Sequence, residues 1–146
     1  MFRTVTAFVF ALVIAAAPAR AQSNPFVESI GALAAAQLYT TASYLDVTME
    51  ALVRDAYKPK DVRVALDRMA GMTDNIGRYL TQVLQTNLAK EDAEFLQEAV
   101  AVYGLLKTES QALHRFAGTR AEPDKAAFHR AREVAWTRLK ALLKLP

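Results

Sequence analysis

Apolar residues recur at alternating intervals of three and four along most of this chain, the spacing that gathers them on one face of a helix. The first series reads Leu38, Ala42, Leu45, Met49, Leu52, Ala56 and predicts a helix from Phe26 to about Tyr57. Asn24 suits its cap and Pro25 its first position. Lys58-Pro59-Lys60 should end it, because proline disfavours helical geometry in the residue before it. A second series, Val62, Leu66, Met69, Thr73, Ile76, Leu80, Val83, predicts a helix from Lys60 to Thr86, with Asp61 near its positive end. Gly71 and Gly77 within it are expected to mark the close approach of a neighbouring helix.

The third helix is expected from Glu91 to Ala117, centred on Ala99, Leu106 and Leu113, with Gly118 as the left-handed residue that stops it. The fourth runs from Pro123 to Lys144 on a stripe of Phe128, Ala131, Ala135, Leu139 and Leu142. Strand-like alternation is weak throughout. Long helices joined by short turns predict an all-α fold, an antiparallel up-down-up-down four-helix bundle.

Residues 1–21 follow another pattern. Arg3 precedes an apolar run from Val5 to Ala17 broken only by Thr6; Pro18 and Ala19-Arg20-Ala21 then supply a helix breaker and a small-x-small cleavage pattern. The run is shorter than the roughly 20 residues a membrane span needs. The expectation is a cleaved signal peptide over 1–21 and a four-helix bundle over 22–146. The protein would then be exported, to the periplasm of a Gram-negative cell or otherwise to the medium. Helix one carries Gln37, Thr40, Thr41 and Asp46 in its apolar stretch, so no stable membrane anchor is expected.

Charge adds little once the leader is set aside. The chain has 18 basic and 15 acidic residues, net +3, and a pI near 9.3. Without Arg3 and Arg20 the balance is 16 to 15, net +1, which is no footprint for nucleic acid. Helix one is acidic (Glu28, Asp46, Glu50 and Asp55 against Arg54) and helix four basic (Lys125, Arg130, Arg132, Arg138, Lys140 and Lys144 against Glu133). Neighbours in a four-helix ring, they should attract one another. The absence of cysteine excludes disulfides, a lipid-anchor cysteine, covalent CxxCH haem and thiolate metal sites.

Candidate chemistry is sparse. No G-x-S-x-G elbow or phosphate loop occurs, and the reading is of a protein that is not an enzyme. His114 and His129 lie nearly level on helices three and four, with Glu133 one turn beyond His129. His129 falls well off its apolar stripe, so no cofactor or metal is expected. The alternative is a cofactor-carrying bundle, with non-covalent haem or a metal held through His129 and Met49 or Glu133.

The unusual feature is a polar layer at mid-bundle. Thr41 and Tyr44 on helix one, Thr73 on helix two, Glu109 on helix three, and Arg132 and Trp136 on helix four interrupt or edge apolar stripes. Glu109 and Arg132 are expected to pair, with the guanidinium against the Trp136 indole. The layer serves either to fix helix register or as a small pocket in which Arg132 holds an anionic ligand with tyrosines lining it. The expected function is binding, of a protein partner or of a small ligand between the helices. N-terminal sequencing of protein recovered from the envelope should begin at Gln22; Met1 there would overturn the leader and the compartment together.

Overall fold

The computed structural model describes residues 25–146, so the expected leader and Asn24 lie outside the described residues. Within them the chain is all-helical: α1 (Pro25–Val53), α2 (Pro59–Val83), α3 (Lys90–Thr119) and α4 (Glu122–Leu143). Pro25 and Pro59 stand at helix starts, where a missing N–H costs no helical bond. No helix among the described residues is long and apolar enough to cross a membrane.

The seams run where the periodicity places them. Leu38, Ala42, Leu45, Met49 and Leu52 are buried from α1, Val62, Leu66, Met69 and Leu80 from α2, and Phe128, Ala135 and Leu139 from α4. Helix α3 contributes most, burying residues from Leu96 to Ala117 on a broad face. It packs against α1, α2 and α4, whereas α1 rests mainly on α3 and only lightly on α2 and α4. A square ring would hold α1 and α3 apart on its diagonal. Small residues of α1 let them touch: a Cβ on Gly31 would lie 3.3 Å from the Phe95 ring, and the Tyr103 hydroxyl donates to the Ala34 carbonyl at 3.3 Å.

Cross-helix pairs fix which ends meet. Arg63 near the start of α2 donates to His114 near the end of α3, and Arg138 late in α4 binds Glu98 early in α3. Arg120, just past α3, donates to the Leu52 carbonyl and to Asp55 at the end of α1, both at 2.6 Å.

That clamp explains two helix ends that differ from expectation. Helix α1 stops at Val53 rather than Tyr57, because Asp55 takes a left-handed backbone (φ 55°) and leaves Ala56 exposed. Gly118 remains inside α3, and Arg120 is the left-handed residue instead (φ 55°). Such a conformation costs a non-glycine residue roughly 1–2 kcal/mol. Here it is offset by two charge-assisted bonds and by the stacking of Arg120 on Phe116, 5.4 Å from the ring centre.

The glycines of α2 also correct their reading. A Cβ on Gly71 or Gly77 would meet nothing within 4 Å, so neither marks a close approach; that role belongs to Gly31. Gly71→Ala and Gly77→Ala should each stabilise the protein by about 0.5–1 kcal/mol, the helix-propensity gain alone. Gly31→Ala should fall short of that gain, since its methyl must push the Phe95 ring aside. Chemical denaturation of the three variants distinguishes them.

Candidate functional site

Asp46 is the only charged residue of α1 between Glu28 and Glu50, and the fold draws two residues of α4 to it. Arg132 grips its carboxylate through Nε and Nη2, the latter at 2.8 Å. The Trp136 indole N–H donates to the same carboxylate at 3.1 Å. One helical turn separates Arg132 from Trp136, so both reach one acceptor, and the guanidinium carbon lies 5.9 Å from the indole centre. Tyr39 of α1 meets that indole edge-on, with ring centres 6.0 Å apart. Hydrogen bonding to Asp46 raises the Arg132 pKa further and keeps it charged.

Beneath this pair lies Glu109 of α3, fully buried, with neither carboxylate oxygen hydrogen-bonded among the described residues. The expected Glu109–Arg132 pair is therefore replaced by Asp46–Arg132. Solvation gives the reason: the Asp46 and Arg132 side chains are 25% and 42% exposed, so their pair keeps contact with water. Joining Glu109 would take the guanidinium into the core, at a desolvation cost that Coulomb attraction rarely repays. Burial pushes the Glu109 pKa up to about 8, the Asp46 charge adding to the rise and Arg132 opposing it. At neutral pH this side chain is a protonated acid. The hydroxyl of Thr48 is likewise buried without a partner among the described residues.

The remaining residues of the expected layer are dispersed. Thr73 is buried and donates to its own helix at Met69, and it lines a groove between α2 and α3. Thr41 accepts a hydrogen bond from Gln37, and with Tyr44 it lines a separate groove between α1 and α2. So the six residues divide among three places: Glu109, Arg132 and Trp136 around Asp46, Thr41 and Tyr44 on the α1–α2 side, Thr73 toward α3. Sequence reasoning missed Asp46 as the centre, although its isolation in an uncharged stretch was the available signal. Arg68, Met69 and Met72 of the α1–α2 groove were missed as well; nothing distinguishes them before α1 and α2 are placed together.

The histidines address different neighbours. His114 accepts from Arg63 and lies 3.4 Å from Asp67, both on α2. His129 is exposed and lines a groove of about 490 Å³ between α1 and α4, with Met49, Phe128 and Arg132. No three potential metal-ligating side chains cluster among the described residues.

Glu109 makes stability depend on pH. Unfolded, its carboxyl titrates near 4.5, and folded, near 8. Between these values the folded chain keeps a proton that the unfolded chain has released. Its contribution is thus full below pH 4.5 and is lost as pH rises to 8. The loss is on the order of 4–5 kcal/mol at about 1.4 kcal/mol per unit. Glu109→Gln, which cannot ionise, should gain on the wild type by that order between pH 5 and 8.5 in urea unfolding. A constant difference across the window would show that Glu109 does not titrate there.

No family model matches the chain, and neither a curated protein nor a solved structure resembles it significantly.

Proposed function

We propose that this chain is an exported, non-catalytic bundle of up-down-up-down topology that works by binding a small ligand between its helices. The helix ends that meet, α2's start with α3's end and α4's end with α3's start, support that topology. The observation that carries the binding reading is the uneven cover of α1. Phe26, Leu33, Tyr39, Tyr44, Val47 and Val53 of this helix are exposed large apolar side chains, whereas α3 has none. Of these, Tyr44 lines a groove of about 410 Å³ between α1 and the lightly packed α2, a volume in the range of small-molecule sites. Its mostly apolar lining with a few polar groups is the usual character of such a site. A protein partner on the same face is the competing occupant.

A second reading has one specific observation in its favour: Met49 and His129 line the same α1–α4 groove, as an axial pair for haem would have to. Against it, Met49 is a buried seam residue and His129 is turned to solvent.

Native mass spectrometry of protein purified from its own compartment should show one small molecule retained per chain. Met72→Asp, at a half-exposed position that tolerates a charge, should release it. Retention of a polypeptide instead would give the face to a protein partner. Stoichiometric haem binding abolished by His129→Ala would replace the proposal with the cofactor reading.

A further inference from the structure

We infer that the α1–α2 groove takes a free single-chain amphiphile bearing one negative charge, such as a fatty-acid-class carboxylate, with its head at Arg68 and its chain along Tyr44, Met69 and Met72. The inference rests on the small-ligand reading above and names the ligand's chemistry.

Charge singles out this groove. Arg68 is its one charged lining residue, and it has no ion-pair or hydrogen-bond partner among the described residues. Elsewhere the lining cations are paired or, like Lys144 in the groove beside Gly31 and Phe95, share the wall with carboxylates, there Glu28 and Asp92. In the α1–α4 groove Arg132 is held by Asp46, Arg54 by Glu50 and Lys125 by Glu122. In the α2–α3 groove Lys107 is held by Asp74, and Arg78 by Asn75. A guanidinium left open at the rim of an apolar groove matches a carboxylate, whose two oxygens it can bind side by side.

The walls match an alkyl chain. Met69 is buried at the floor and Met72 is half exposed, and both are unbranched side chains that reshape around an irregular apolar surface. Tyr44, 41% exposed, supplies a flat apolar side. The Thr40 hydroxyl is engaged with the Ala36 carbonyl and the Gln37 amide with Thr41, so among the described lining residues Arg68 is the one charged donor for a polar head. Charge also argues against a second copy of the chain: a two-fold contact centred on this groove would bring two Arg68 side chains together. A purely apolar partner would bury the guanidinium unpaired, which is costly.

The test is calorimetric titration of the purified full chain with dodecanoate below its micelle concentration, beside dodecyltrimethylammonium, which has the same chain and the opposite charge. Dodecanoate should bind once per chain, the ammonium compound far more weakly. Arg68→Gln should weaken dodecanoate about tenfold or more, the usual worth of a hydrogen bond to a charged group. Met72→Asp should abolish binding while the circular dichroism stays helical, and Arg54→Gln, at an exposed cation of the α1–α4 groove, should leave it unchanged. Equal binding of the two amphiphiles, insensitive to Arg68→Gln but lost in Met72→Asp, would overturn the anionic class and leave the small-ligand reading standing. Binding lost in Arg54→Gln rather than Arg68→Gln would move the ligand to the α1–α4 groove and overturn this inference. No binding by either compound, together with a dimer that Met72→Asp dissolves, would overturn both readings.

Discussion

The contact between α1 and α3 governs the arrangement of the rest. Gly31 and Ala34 give α1 a narrow face that comes against Phe95 and Tyr103, so two helices that a square ring would separate are in direct contact. Helix α3 is then enclosed by three neighbours and buries the broadest face of any helix. The same closeness has a consequence for α1. A helix drawn onto one neighbour can be only partly covered by the other two, and its remaining apolar surface stays open to solvent. Grooves on both sides of α1 follow from this packing.

The two grooves differ in how their charges are settled. On the α4 side, Asp46 collects Arg132 and Trp136 into a closed set of hydrogen bonds that ties the two helices at mid-length. On the α2 side no carboxylate lines the groove, and Arg68 stays unpaired among the described residues. Opposite charge between α1 and α4 acts as the sequence implies, but through a single partly buried pair. Other basic residues of α4 turn elsewhere: Arg138 binds Glu98 of α3, and Lys125 binds Glu122 on its own helix. Of these pairs, the one to Asp46 is the least accessible to salt, so the bulk attraction between the two helices contributes little beside it.

Glu109 sits where these constraints meet. Its turn of α3 lies inside the bundle, and the guanidinium that could neutralise it stays near the surface with Asp46. The carboxyl therefore avoids ionisation by keeping its proton, the ordinary outcome for a buried acid without a bonded partner. A buried polar group retained at such a cost costs stability at mid-bundle, and no hydrogen bond within the described residues repays it.

Helix number, type and buried faces were legible in the residues, since a seam such as Leu38, Ala42, Leu45, Met49, Leu52 needs only the helical period to declare itself. Proline near the starts of α1 and α4 was equally plain, because its effect on the backbone is local. What lay beyond the sequence depends on distance between elements. Whether α1 stops at Val53 or Tyr57, and whether Gly118 or Arg120 turns left-handed, depends on a guanidinium reaching across to Leu52 and Asp55. Level positions on neighbouring helices suggested Glu109 for Arg132, and heights along a bundle were read correctly enough to place both in one cluster. The choice of Asp46 instead was a matter of solvation, and a residue's access to water is defined only once all four helices are packed.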